Sequence, residues 1–526
     1  MSISEEIAES SARGGFYLFA GGALSTGIAA LASILIGRLL GPDNYGLYSL
    51  SLTPSSFLLI ASGFGINIAL VKYLSEFERE GRYSLIRRYI AIGLSTQLAI
   101  GVGLAVLLIY FSDLFALYLI NRPEASIYIK ITAIYIVGVV IFRVINQSLI
   151  GLNRMDRSSL LTLLQSISKF TIAIGLIILG YGVFGAVSGH SISYLIAGLI
   201  GLAILYIMTR RKKDGDDVNP SGVEVLSGMI RYGFPVYLST ILTTGIGIYR
   251  NYLMALYASN TEIGNFTAAF NLSTSIAIFI APIATVLFPA FSKLRLDEEA
   301  NIARGLFKRA VKYSTMVILP ITIFVIVSSK EFTYTFYGSS YILAPEYLEL
   351  ASLQYIIVGL GSVVLMSFFN GIGDTGKVFR MGVITAVSAL ILYPILILTL
   401  HMTGLIIGIV ISLALPIIYG LYKAYKEYNV SIEFNSILRI YLAGIFAGFI
   451  TYAIKYYIEL GRPIYDLVTY GLIYLIIYLI ILPYLRGITL DDIEILDKSF
   501  RNITVVGLIT HMLLTIERRL IEGVRK

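Results

Sequence analysis

The chain has no cysteine and no tryptophan among its 526 residues. The first absence excludes disulfides, thiol catalysis and thiolate metal sites. The second leaves tyrosine, of which there are 38, to supply the interfacial aromatic belt of a membrane protein. Charge is scarce too: 14% of residues are charged and 57% hydrophobic, and mean hydropathy is +0.82. A soluble chain of this size could not bury so much apolar surface. The apolar runs are about 20 residues long, enough to cross about 30 Å of hydrocarbon. The expectation is an all-α polytopic membrane protein. The first dozen residues are polar and no small-residue cleavage site follows, so no removable leader is expected. No resident metal or cofactor is expected. The formal net charge of +8 sits mostly in short loops, where it reports orientation and not a nucleic-acid partner.

One absence concerns chemistry directly. No Asp or Glu occupies the middle of an apolar run; Asp43, Asp113, Glu346, Glu349 and Asp466 fall near ends. Exporters that trade protons or sodium for cationic drugs usually need a buried carboxylate. Basic residues do occur inside the runs: Lys130, Arg143, Lys169 and Arg250.

What is present begins with a repeat. Residues 13–49 align without a gap on residues 231–267, so that Arg13, Gly15, Thr26, Gly27 and Gly46 match Arg231, Gly233, Thr244, Gly245 and Gly264. A second echo pairs IGLNRMDR (150–157) with NGIGDTGK (370–377). The pattern gives about fourteen spans. Arg38, Arg122, Lys330, Lys455 and Arg462 lie on one side, and nearly all other Lys and Arg outside the spans lie on the other. The basic side is expected to be cytoplasmic, with both termini there. The halves then run parallel, as two six-helix lobes related by a pseudo-twofold along the membrane normal, plus two extra C-terminal helices. The expected divisions are an N-lobe (1–209), a cytoplasmic linker (210–231), a C-lobe (232–426), the extra pair (427–485) and a cytoplasmic tail (486–526). In that tail the apolar run 503–516 is expected to form an interfacial helix.

The polar residues inside the spans form stripes. Thr240, Thr243, Thr244, Gly247, Arg250 and Asn251 share an arc of about 120° on span seven. Span one matches it with small or polar residues, among them Ser25, Thr26 and Ser33. Arg143 and Gln147 share a face of span four with Asn146, and Gln165 and Lys169 share a face of span five. Tight packing through small residues would explain span one. It would not explain Arg250, because a cation at membrane depth costs about 2.5–3.5 kcal/mol even on insertion scales. Arg250, Arg143 and Lys169 are therefore expected to hold an anion, guanidinium groups suiting phosphate oxygens. Asn251, Gln147 and Gln165 are expected to meet phosphate or sugar hydroxyls. His190 is expected to be a hydrogen-bonded structural residue.

The segments GRLLGPDNYGLYSLSL (37–52), TVLFPAFSKL (285–294) and TFYGSSYILAPEYLELASLQYIIVGLGSVVLMSFFNGIGDTGK (335–377) resemble polysaccharide flippases. These belong to the multidrug/oligosaccharidyl-lipid/polysaccharide exporter superfamily. The resemblance covers the first twelve spans in order, and the extra pair fits it. It implies two six-helix lobes facing a cationic cavity. It also implies movement of a polyprenyl- or dolichyl-phosphate- or pyrophosphate-linked sugar from the cytoplasmic to the outer leaflet. The family often carries an Asp-Arg pair in span seven; Arg250 matches the Arg, but Tyr249 stands before it and supplies no carboxylate for ion coupling. The Tyr- and Ile-heavy, cysteine-free chain is similar to an archaeal member, which implies a dolichol-type carrier. The expectation is a non-enzymatic, monomeric flippase of the plasma membrane. Its alternatives are a multidrug exporter of the same fold and a membrane glycosyltransferase or polymerase.

Overall fold

The computed structural model describes residues 3–210, 220–294 and 296–494. The run 503–516 and most of the linker lie outside them. Every regular element among the described residues is helical. Eight helices are long and apolar enough to cross a membrane, or ten if each of two bent pairs is one span. The sequence reading divides several of these further, because the chain passes from one apolar run to the next without leaving helical structure. One helix runs Ile3–Ser51 and another, of 54 residues, Thr375–Tyr428. Each contains a local break. Gly41 takes φ 73°, which an L side chain resists. Pro42 follows it as the first residue of the new segment, where its missing N–H leaves nothing unpaired. His401 makes the second break at φ 53°, ψ −140°.

Two charged segments beside apolar runs are helical. A helix covers Leu296–Val327. Ala303, Phe307, Ala310 and Val311 are buried along one face while Arg309 is exposed on another, a helical period that outweighs the high charge. The Ile66–Glu80 helix likewise runs past the apolar stretch, burying Leu70, Leu74 and Phe77.

Contacts divide the chain into two compact units, Met1–Ala268 and Ala269–Lys526. In the first, the helices Ser126–Gly151, Met155–Leu176 and Gly182–Arg210 pack closely. Gly189 lies against the Ala173 backbone with no room for a side chain. The core gathers Ile66, Leu70, Ile86, Val144, Ile145, Leu149 and Leu161. Val225 and Met229 of the Gly222–Tyr257 helix are buried in it, so this helix belongs to the first unit although the repeat starts a second copy near it. Ser221 and Glu224 cap that helix reciprocally, at 3.2 and 2.9 Å.

In the second unit, the Phe434–Lys455 and Pro463–Tyr484 helices pack on Leu296–Val327. Tyr478 donates to the Met316 carbonyl at 3.1 Å. Beyond them Asp492 meets Lys312 at 2.5 Å and accepts from the Tyr313 hydroxyl at 3.1 Å, with both charged side chains nearly buried.

Candidate functional site

The face of the Ser126–Gly151 helix that carries Ile141, Val144, Ile145 and Leu149 is buried in the core, which turns Arg143 away from it and leaves it exposed. Thr240, Thr243 and Thr244 are also exposed, on the Gly222–Tyr257 helix. A cavity of about 220 Å³ lies between these helices and the Thr53–Ser62 helix. Arg143, Thr240, Thr244, Ser56, Tyr135 and Tyr237 supply its polar wall, and Leu59, Ile60 and Ile241 its apolar wall. No carboxylate lines it, and Arg143 forms no hydrogen bond or ion pair with any described residue. One permanent cation among hydroxyl groups offers an anion several hydrogen-bond donors.

The other expected residues stand around this cavity rather than in its lining. Arg250 lies six residues beyond Thr244, about 9 Å along the axis. It donates to Asn251 at 3.4 Å and sits 5.4 Å from the Phe266 ring centroid. Asn251 in turn donates to Thr53 at 3.3 Å. Gln165 is buried and donates to Ser193 at 3.1 Å. Ser25 is buried against Ser166 at 2.7 Å, and Ser33 bonds Tyr45 at 2.8 Å. Gln165 and Ser25 join separate helices, and Ser33 bridges the break at Gly41 within Ile3–Ser51. Lys169, Gln147, Thr26 and Gly247 are not in the cavity lining; Lys169 lies within electrostatic range of His190. His190 reaches the Tyr48 hydroxyl at 3.4 Å and packs 4.9 Å from Tyr135, which ties this aromatic cluster to the cavity wall.

Sequence reasoning missed Tyr135, Tyr237 and Ser56. Tyr237 was legible, one turn before Thr240 on the same stripe. Ser56 gave no signal, because a serine pair following Pro54 reads as turn chemistry. Arg122 was placed only as an outer-side loop residue. It donates to Asn260 Oδ1 at 2.6 Å, to the Ala258 carbonyl at 2.6 Å and to the Ala255 carbonyl at 3.2 Å. It thereby satisfies carbonyls that the end of the Gly222–Tyr257 helix leaves open.

The repeat copies also touch each other at equivalent residues. A methyl on Gly46 would overlap the Asn260 carbonyl, and one on Gly264 would overlap the Pro42 carbonyl. Asp43 accepts from Thr261 at 3.3 Å and Ser49 meets Thr267 at 3.4 Å, each pair 218 residues apart. Reciprocal contact of this kind is what a twofold relation between copies produces. Between the Thr53–Ser62 and Ile66–Glu80 helices, the Gly65 backbone meets that of Gly233 in the Gly222–Tyr257 helix, and the Gly63 amide donates to the Tyr237 hydroxyl at 3.3 Å.

A family model described as polysaccharide biosynthesis protein matches residues 11–295, more than half of the chain. The chain belongs to that family. A second model, described as lipid II flippase MurJ, matches residues 238–476. Among relatives of this polysaccharide biosynthesis protein, a probable flippase of Haloferax volcanii, AglR, is 22% identical over 86% of this chain and 91% of its own. The structure of a lipid II flippase MurJ in an inward closed conformation superposes with a TM-score of 0.72 at 17% identity, covering 88% of this chain and 97% of that one. An outward-facing multidrug resistance MATE transporter superposes less well, at 0.56 and 20% identity over 79% of this chain and 95% of that one. The fold is that of these multi-helix membrane transporters.

Proposed function

We propose that the protein moves an anionic lipid-linked oligosaccharide from the cytoplasmic to the outer leaflet of the plasma membrane by alternating access. The observation that carries the reading is the cavity: Arg143 among Ser56, Tyr135, Tyr237, Thr240 and Thr244, with no carboxylate. Arg143 holds phosphate of a polyprenyl or dolichyl phosphate or pyrophosphate carrier, the hydroxyl groups meet phosphate or sugar, and Arg250 with Asn251 receives the anion further along. Lys169 raises the positive potential behind the aromatic cluster. Membership in the polysaccharide biosynthesis family and the flippase relatives support the lipid-linked sugar as cargo. The lysine and arginine distribution supports an orientation with both termini in the cytoplasm. An inside-negative potential then favours outward movement of an anion by about 2.3 kcal/mol per charge per 100 mV, so no ion-exchanging carboxylate is needed.

The test is flipping in liposomes. Purified protein is reconstituted with a fluorescent polyprenyl-pyrophosphate sugar, and outer-leaflet exposure is scored for wild type, R143A and R250A. Loss of one charge-assisted contact of about 1.5–3 kcal/mol predicts a fall of roughly 10- to 100-fold. Full activity in both variants would remove the basic residues from the mechanism. Export of cationic drugs with no sugar-lipid movement would replace the reading with multidrug export.

A further inference from the structure

The second internal echo, 150–157 on 370–377, is also an echo in space. Asn153 and Gly373 both take positive φ, 52° and 81°. Arg154 and Asp374 each precede a long helix, with φ and ψ of −101°, 55° and −86°, 60°. The same turn bonds recur: the Arg154 amide reaches the Leu149 carbonyl at 2.8 Å and the Asp374 amide that of Phe369 at 2.9 Å. A cross-link recurs as well. Arg87 donates to the Thr209 carbonyl at 3.2 Å, and Arg304 to the Tyr428 carbonyl at 3.1 Å. The two corners are one motif built twice.

Their charges differ. In the second corner Lys377 is buried and fully matched: it bonds Asp374, and Glu427 at 2.6 Å, while Tyr428 donates to Asp374 at 2.6 Å. In the first corner Arg157 stands where Lys377 does, Arg154 replaces Asp374, and Thr209 and its neighbours replace the Glu427–Tyr428 pair. The cation is kept and the two carboxylates that bind Lys377 have no counterpart at their positions; Asp156, in the first turn of the helix, and Glu78 are the carboxylates near this corner. Neither Arg154 nor Arg157 has a hydrogen bond or ion pair with any described residue. Both line a cavity of about 210 Å³ together with Tyr83, Thr209, Leu152 and Glu78. Glu78 in this wall has an interaction of its own. The cavity has room for several waters, hence for a tetrahedral phosphate. It opens at the start of the Met155–Leu176 helix, whose free amides favour an anion.

We propose that this corner, on the lysine- and arginine-rich side of the membrane, binds the phosphate group of a membrane lipid, held between Arg154 and Arg157 where the other copy supplies its own carboxylates. The site is separate from the Arg143 cavity and stands whether or not that cavity carries a sugar lipid. Phosphate of this kind comes from an ordinary anionic phospholipid or from a polyprenyl phosphate waiting at the surface.

Native mass spectrometry of the full-length protein in detergent decides it, with three probes added in turn: a dialkyl glycerol phosphate, a polyprenyl monophosphate and an uncharged dialkyl glycerol. Wild type is expected to retain at least one phosphate probe over the uncharged one. R154A/R157A is expected to retain it at least tenfold less. R154D/R157K, which installs the second copy's pair, should keep thermal stability and lose the lipid equally. Preference for the polyprenyl probe identifies a docking station for the carrier, and preference for the glycerol phosphate a structural lipid. Equal retention by wild type and either folded variant, or no preference for phosphate in wild type, overturns the proposal. Hydrogen exchange of wild type gives a reading free of any folding defect. The phosphate probe should protect 150–157 and leave 370–377 unchanged, and protection of both or neither also overturns it.

Discussion

Arg143 and Lys377 show how the same kind of charge takes opposite roles. Arg143 has no partner among the described residues and faces a cavity. Lys377 is enclosed by two carboxylates and a phenol. Burial alone would push the Lys377 ammonium down, but its hydrogen bonds to Asp374, Glu427 and Tyr428 outweigh this and hold it above the ordinary lysine value. Burial likewise pushes the Asp374 carboxyl up, and the bonds from Lys377 and Tyr428 bring it below the usual carboxylate range. The lowered Asp374 contributes stability above its unfolded pKa of about 3.9, lost as pH falls through its folded value. The raised Lys377 contributes stability below about 10.4, lost as pH rises through its folded value. Thermal melting of wild type should therefore lose stability at both limits. D374N should flatten the acid limb, and an unchanged limb would mean that Asp374 does not carry it.

Helices bring the repeat copies together through residues too small to see as functional in isolation. Gly46 and Gly264 are conspicuous in the sequence only because they match across the repeat; that each lies on the other copy's carbonyl is decided by the angle at which the helices cross. Because the chain has no cysteine, this contact can be locked cleanly. S49C/T267C, whose side-chain oxygens lie 3.4 Å apart, should cross-link under mild oxidation. If the copies separate during transport, flipping should fall to background when oxidised and return on reduction. Undiminished flipping in the cross-linked protein would show that this contact never opens. R122A removes three bonds from the neighbouring helix end. It should speed hydrogen exchange in 255–261 while leaving the cavity-lining stretches 135–143 and 237–244 protected.

At the scale of the whole molecule, the chain runs apolar nearly everywhere, and a nearly buried ion pair among its described residues stands out. Lys312 and Asp492 hold the segment after the last span against the Leu296–Val327 helix, with 6% and 9% of their side chains exposed. Removing one partner leaves a buried charge, so D492A should cost about 3–5 kcal/mol. K312M/D492L should recover most of that loss in denaturant or thermal unfolding, and a double variant as weak as D492A would show that the pair does more than neutralise itself. The fourteen-span reading and the eight to ten helices that pass on length and composition differ because helix continues through the breaks at Gly41, Gly180 and His401, and because Gly222–Tyr257 is not among those that pass. Sequence periodicity registers the change of direction there, and backbone hydrogen bonding hardly does.

The sequence by itself determined the membrane class, the repeat and the sign of the charge inside the spans, because hydropathy, a fixed offset of 218 residues and a missing carboxylate are properties of single stretches of chain. It also singled out Arg143, Thr240 and Thr244, since a polar stripe on an apolar helix has nowhere in lipid to go. Only the tertiary structure decided which polar groups are left over. Gln165, Ser25 and Ser33 have the same composition signal as the cavity residues, yet helix packing gives each a partner. Tyr135, Tyr237 and Ser56 become cavity wall because three separate helices present them to one space. The phosphate corner depends on the same distinction: Arg154 and Arg157 differ from Lys377 not in charge but in what the fold sets beside them.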